Sequence, residues 1–246
     1  MDIFRELIEG LPRQAPGSTV ATLRALGMAR GLPERPRILD VGCGPGAQTV
    51  DLACATGGWL LAVDVRQRFL DELIERARDA GVLSQVTTLN MSMFDMDFAE
   101  SSFDLIWSEG AIYIAGFAAG LRQWRRFLKP GGWIAVTELT WLVPDPPPEA
   151  ASYWKLNYPG MGSIEHNCRL VAEAGYVDST GFTLSTRDWH NYYGPAERRV
   201  AELREKYADH PDILATLDDV QREYDIFRQH HESYGYVFYV MRKPEA

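Results

Sequence analysis

The sequence predicts an α/β fold in which helices cover both faces of a doubly wound, largely parallel sheet. Short apolar segments alternate with helical patterns across residues 35–140. Such alternation implies parallel strands joined by right-handed crossovers, so that both faces of the sheet are buried. A proline-rich segment at residues 144–148 separates this region from a second series of helices and strands.

The predicted strands are short apolar runs bounded by turn residues, and the predicted helices show a 3.6-residue periodicity. Strands are predicted at residues 37–41, 59–63, 86–89, 103–107, 133–138, 176–184 and 236–241. Helices are predicted at about residues 46–55, 67–80, 116–127, 164–174, 196–207 and 213–230.

Segments outside the alternating region are predicted to cover the sheet. Ser18 can cap a helix ahead of the first strand, so residues 1–34 are interpreted as an N-terminal helical cover. Successive prolines exclude a helix, which predicts an extended loop at 144–148. The helical stretch before the last strand is too long for a turn. We therefore predict one main domain over residues 35–246, with lid insertions at about 141–162 and 185–233.

The composition disfavours several classes of protein. The chain has 246 residues, is 46% hydrophobic and carries a formal net charge of −9. An acidic balance argues against a large nucleic-acid interface, because phosphate binding depends on Lys and Arg. No apolar run reaches the roughly 18 residues of a membrane span. Cys43, Cys54 and Cys168 are widely spaced, which indicates free thiols and no zinc site. We expect a cytoplasmic protein without a metal, a membrane anchor or a nucleic-acid partner.

A glycine-rich corner follows the first predicted strand. Gly42, Gly44 and Gly46 leave it almost without side chains, so a ligand can approach the backbone closely. Asp64, which closes the second strand about 20 residues later, is placed to accept hydrogen bonds from ribose hydroxyls. Asp40 would repel a pyrophosphate and favour a ligand with an ammonium group. These features favour a charged nucleoside over a nicotinamide dinucleotide.

With these motifs the chain resembles the class I S-adenosylmethionine-dependent methyltransferases. The match extends over residues 35–140. Further segments that resemble the family are 90–93 after the third strand, 103–108 in the fourth strand and 128–133 before the fifth. Segments 13–18, 107–113 and 234–239 resemble a bacterial branch of small-molecule methyltransferases.

The resemblance implies a Rossmann-like seven-stranded sheet, mostly parallel with an antiparallel last strand, and a methyltransferase domain at residues 35–246. It implies S-adenosyl-L-methionine as methyl donor and S-adenosyl-L-homocysteine as product. The cofactor-binding residues that it implies are Asp40, Gly42, Cys43, Gly44, Gly46, Gln48, Asp64, Val65, Ser92, Met93, Glu109 and Gly110. Most members have Asp where this chain has Ser92, so the adenine amino group would meet a neutral hydroxyl or a backbone carbonyl.

The predicted function is methyl transfer by in-line displacement to O, N or C of a small-molecule acceptor. Candidates for removing a proton from the acceptor are Glu109, Tyr113, His166 and His190. Candidates for contacting the acceptor or forming the lid are Ser18, Tyr113, Trp141, Tyr153, Tyr158 and Tyr192. A protein side-chain methyltransferase and a non-catalytic cofactor-binding module stay open as alternatives, and a homodimer is one option for the assembly.

Overall fold

The fold is described from a computed structural model, in which residues 3–245 are described. A seven-stranded sheet with the strand order β3-β2-β1-β4-β5-β7-β6 forms its centre within these residues. The strands are β1 (Arg37–Val41), β2 (Trp59–Asp64), β3 (Val86–Asn90), β4 (Phe103–Ser108), β5 (Leu128–Trp141), β6 (Val177–Thr183) and β7 (Tyr234–Arg242).

Strands β1 to β5 pair in parallel, and β7 runs antiparallel to both of its neighbours, β5 and β6. The predicted mostly parallel sheet with an antiparallel last strand is therefore confirmed. The strand order reverses between β1 and β4, and crevices at such a reversal are where open α/β sheets bind ligands.

The helices are α1 (Ile3–Ile8), α2 (Thr19–Leu26), α3 (Ala47–Thr56), α4 (Gln67–Asp79), α5 (Ile112–Ala115), α6 (Phe117–Trp124), α7 (Pro148–Asn157), α8 (Ile164–Glu173), α9 (Thr186–Lys206) and α10 (Pro211–His230). Apolar residues of α2, α3 and α4 pack on one face of the sheet, and those of α5, α6 and α8 pack on the other. A separate apolar core joins α1, α7, α9 and α10, which lie over the carboxyl edge of the sheet; we call these four helices the lid.

Several predicted elements have other bounds in the structure; β5, for example, begins at Leu128 instead of 133 and ends at Trp141 instead of 138. Helix α9 begins at Thr186, ten residues before the predicted start at 196, because Ser185 and Asp188 form a reciprocal capping box. Pro195 lies inside this helix, and because proline usually ends a helix, the first half of α9 was not predicted. The predicted extended loop at 144–148 is also shorter, because Pro148 occupies the first turn of α7, where proline is tolerated.

Candidate functional site

The glycine corner connects β1 to α3 and requires left-handed backbone at each of its three glycines. Gly42, Gly44 and Gly46 have φ angles of 69°, 53° and 81°, a region that side-chain-bearing residues rarely adopt. A Cβ on Gly42 would lie 2.5 Å from the Cβ of Ala111. The corner therefore keeps its backbone amides close to the neighbouring loop, with no side chain between them.

Asp40 lies behind this corner and is fully buried. One carboxylate oxygen accepts hydrogen bonds from Thr49 Oγ1 at 2.6 Å and from Gln48 Nε2 at 3.2 Å. The other oxygen, Oδ1, has no hydrogen-bond partner among the described residues. Burial away from water raises the pKa of Asp40 to about 7, and the nearby Glu109 carboxylate adds to this rise. The corner thus holds a buried acid to which no cation of residues 3–245 is paired.

Asp64 closes β2 and organises the corner from the other side. Its Oδ2 accepts a hydrogen bond from the backbone N–H of Gly44 at 3.0 Å, and its Oδ1 accepts one from the N–H of Arg66 at 2.9 Å. The half-buried carboxylate also faces the cavity described below. One side chain therefore fixes the glycine loop and presents oxygens to a ligand.

Glu109, which follows β4, is buried and accepts three hydrogen bonds. Thr22 Oγ1 donates at 2.7 Å and Trp107 Nε1 at 2.9 Å to one oxygen, and Arg13 Nη1 donates at 3.2 Å to the other. Arg13 also reaches Asp51 at 3.4 Å. Burial raises the pKa of Glu109, whereas the Arg13 charge opposes that rise. This ion pair ties the N-terminal segment to the carboxyl edge of the sheet.

A cavity of about 400 Å³ opens at the carboxyl edge, between the N-terminal segment, the glycine corner and the lid. This volume is within the usual range of small-molecule sites, about 300–1,000 Å³. The predicted residues in its lining are Gly42, Cys43, Gly44, Gln48, Asp64, Val65, Ser92, Met93, Glu109, Gly110, Tyr113 and Tyr192. The cavity thus brings together residues from five separate parts of the chain.

Other predicted residues lie outside this lining. Asp40 is buried behind the corner, Gly46 packs against Leu73, and Ser18 caps α2 and bonds to Asp188. Trp141, Tyr153 and Tyr158 pack against the lid core. His166 and His190 are exposed on α8 and α9 and are not brought to the cavity.

Two further carboxyl groups that the sequence patterns did not single out are the buried Glu138 of β5 and the half-buried Glu223 of α10. Tyr158 OH donates a hydrogen bond to Glu138, and Tyr193 OH donates one to Glu223 at 2.8 Å. Burial raises the pKa of both acids, that of Glu138 to about 8. Glu138 could have been found as the charged residue at the end of the predicted strand 133–138. A charged side chain is rarely buried unless it is paired, so its place in a core strand is informative.

Burial of acids makes the stability of the protein depend on pH. Asp40 and Glu138 stay protonated in the folded state up to about pH 7 and 8, whereas the unfolded chain releases these protons near pH 4. The folded state then binds more protons, so we expect the unfolding free energy to fall as the pH rises from about 4 to 7 for Asp40 and to 8 for Glu138, by roughly 1 kcal/mol per pH unit for each acid.

Denaturant titrations at half-unit pH steps measure this dependence. Asp40→Asn should flatten the profile below pH 7, while Asp71→Asn, an exposed change on α4, should leave it unaltered. An Asp40→Asn protein with the full slope of the parent would contradict the assignment.

The chain is similar to proteins of known activity. A family model described as a methyltransferase domain matches residues 38–132. The 27-O-demethylrifamycin SV methyltransferase of Amycolatopsis mediterranei (strain S699) is 28% identical over 93% of this chain and 84% of its own length. The dimethylglycine N-methyltransferase of Parasynechococcus marenigrum (strain WH8102) is 32% identical over 46% of this chain and 41% of its own length.

Solved structures show the same fold. An S-adenosylmethionine-dependent methyltransferase of Geobacter sulfurreducens, solved with S-adenosyl-L-homocysteine, superposes with a TM-score of 0.81 at 21% identity. The match covers 98% of this chain and 97% of that one. Within residues 3–245, no helix has the length and apolar character to cross a membrane, and no cluster of acidic, His or Cys side chains could hold a metal ion.

Proposed function

Because the chain belongs to the class I S-adenosylmethionine-dependent methyltransferases, we propose that it methylates an O, N or C atom of a small molecule held beneath the lid. At the level of the family, the predicted fold class, enzyme class and methyl donor are confirmed. The observation that carries the proposal is a single cavity that reaches from the glycine corner and Asp64 to Tyr113 and Tyr192 beneath the lid.

The residues around the cavity fit a cationic sulfur nucleoside. The bare corner lets backbone approach the ligand, and the Asp64 carboxylate can accept hydrogen bonds from ribose hydroxyls. Asp40 Oδ1 is buried without a partner among the described residues, and Glu109 adds a second buried carboxyl nearby. An unpaired buried acid favours a ligand with positive charge, because a nearby cation stabilises the ionised form of the acid.

We assign roles to the residues on this basis. The glycine corner and Gln48 would hold the methionine part, Asp64 and Val65 the ribose, and Ser92 and Met93 the adenine. Glu109, Gly110 and Arg13 would face the amino acid end, with the Arg13 guanidinium held in place by Glu109 and Asp51. When bound, S-adenosylmethionine supplies an activated methyl group. The chain's own residues then align the two partners and exclude water.

A small-molecule acceptor is supported by the aromatic end of the cavity. Tyr113 and Tyr192 line it, and Tyr158 contacts Tyr113 with a ring-centroid separation of 5.9 Å. The name of the rifamycin relative is also that of an enzyme acting on a small molecule. A cytoplasmic location, a homodimer and the lack of a nucleic-acid partner remain predictions.

Labelled S-adenosylmethionine tests the proposed function. The protein is incubated with panels of phenols, aliphatic alcohols, amines and carbon acids, and separately with a peptide array. We expect the label in a low-mass product and none in any peptide. Label confined to peptides would assign a protein methyltransferase. The lack of labelled product with every panel and with small-molecule cell extract would overturn the proposal.

A further inference from the structure

Three large apolar side chains lie exposed in the lining of the cavity. Phe94 is 63% exposed, Tyr113 44% and Ile114 52%, and all three line the same opening. Phe94 follows β3, whereas Tyr113 and Ile114 belong to α5, which follows β4. Single exposed apolar residues are common on protein surfaces, but several that share one concave site mark a place where a ligand or partner binds. We call these three residues the apolar mouth.

The part of the apolar mouth on α5 lies on the lid side of the cavity. Val65, a further exposed apolar residue of the lining, directly follows Asp64 and is assigned with it to the ribose. Tyr113 instead contacts Tyr158, which packs against the lid core. Tyr113 and the adjoining Ile114 are therefore on the side of the cavity where the methyl acceptor is proposed to lie.

The volume of the cavity leaves little room for a whole acceptor inside it. Sites that hold one drug-sized ligand are about 300–1,000 Å³. S-adenosylmethionine is itself a ligand of this size, and the cavity of about 400 Å³ is near the lower limit. Beside the cofactor there is space for the reacting part of an acceptor, so the rest of the acceptor has to lie at the apolar mouth.

The charges of the cavity lining disfavour a cationic acceptor. Arg13 and Glu109 form an ion pair and so neutralise each other. The exposed Arg66 guanidinium also lines the cavity, and no carboxylate of the described residues forms an ion pair with it. Arg66 interacts electrostatically with Tyr113 of the apolar mouth. An ammonium group at the mouth would be repelled by Arg66, whereas an uncharged apolar group would not be.

We propose that the methyl acceptor has a bulky, uncharged apolar body that rests on the apolar mouth, while its reacting group alone reaches in beside Tyr113 and Tyr192. The inference rests on the proposed methyltransferase function and narrows its substrate class. It excludes small charged amines and favours molecules with an extended hydrocarbon chain or ring system. Burial of their apolar surface against Phe94 and Ile114 stabilises the complex.

Two phenols that differ only in an alkyl chain measure the contribution of an apolar body. The protein is loaded with S-adenosyl-L-homocysteine, and 4-methylphenol and 4-hexylphenol are titrated into it by calorimetry. Each additional CH₂ group, if half buried, should improve the affinity about twofold. We therefore expect 4-hexylphenol to bind the parent roughly 30-fold more tightly than 4-methylphenol.

Variants at the apolar mouth locate this contribution. Phe94→Asn and Ile114→Asn each place an amide at an exposed position, so neither should disturb folding. In each variant we expect 4-hexylphenol to bind about tenfold more weakly, and 4-methylphenol to bind within about threefold of the parent. Leu156→Asn is the matched control, because Leu156 lies on α7, is 83% exposed and is outside the cavity lining. It should bind both phenols like the parent.

The cofactor product shows whether the apolar mouth belongs to the acceptor. S-adenosyl-L-homocysteine should bind the parent and all three variants within about twofold. A tenfold loss of its affinity in both mouth variants would assign these side chains to the cofactor and overturn the inference.

The phenol titrations and the transfer of label separate this inference from the proposed function. Equal binding of the two phenols by the loaded parent would overturn the inference, and so would equal binding of 4-hexylphenol by Ile114→Asn and Leu156→Asn. Label transfer to any panel compound would then leave the methyltransferase function standing. Failure of transfer to every panel and to cell extract would overturn the proposed function instead.

Discussion

Asp64→Ala is expected to raise the dissociation constant of S-adenosyl-L-homocysteine by about 5- to 150-fold. The variant loses the acceptor for the ribose hydroxyls and also the hydrogen bond that fixes the Gly44 amide at 3.0 Å. Loss of charged hydrogen bonds costs about 1–3 kcal/mol, which corresponds to this range of affinity. Calorimetric titration of the parent and the variant measures the change.

Two controls keep this result specific. Asp64→Asn preserves the shape of the side chain and should give an intermediate loss, because a neutral amide oxygen is the weaker acceptor. Asp71→Ala removes an exposed acid one turn into the following helix and should bind like the parent. If Asp64→Ala bound within 1.5-fold of the parent, the ribose assignment would be wrong.

Arg13→Met is expected to lower the free energy of unfolding by about 3 kcal/mol at pH 7, because it leaves the Glu109 carboxyl buried without its counter-charge. The side chains of this pair are 11% and 3% exposed, so water cannot replace the lost partner. For a chain of this size, the melting temperature should fall by roughly 6–12 °C. The loss should shrink at acidic pH, where Glu109 binds a proton.

An exposed ion pair supplies the comparison for this variant. Arg228 pairs with Glu197 and Asp225 on the lid surface, where its side chain is 51% exposed. Arg228→Met should change stability by less than about 0.5 kcal/mol. Thermal and denaturant unfolding of the parent and both variants compare the two sites. Equal losses for Arg13→Met and Arg228→Met would contradict the claim that the Arg13–Glu109 contact locks the N-terminal segment in place.

The fold and the residues that line the glycine end of the cavity could be predicted because their signals are local. Gly42, Gly44 and Asp64 sit at strand ends that apolar periodicity already locates, and parallel pairing brings those ends to one edge. Ser92 and Met93 follow β3 for the same reason. Short-range patterns were sufficient for these residues.

Contacts between distant segments could not be predicted in this way. Arg13 meets Glu109 across 96 residues of sequence, and Tyr158 meets Glu138 across 20 residues and an intervening loop. Neither pair produces a periodic pattern in the sequence, because each contact depends on how the N-terminal segment or the lid packs against the sheet. The exposed position of His190 could not be predicted either, because α9 begins ten residues earlier than the sequence pattern indicated.

The position of S-adenosyl-L-homocysteine in a crystal of the complex tests the central claim most directly. We predict its ribose hydroxyls within hydrogen-bonding distance of Asp64, its amino acid end beside Gly42 and Glu109, and its sulfur directed toward Tyr113. A ligand bound instead in the open groove between Arg24 and Asp188, with the glycine corner empty, would contradict the account.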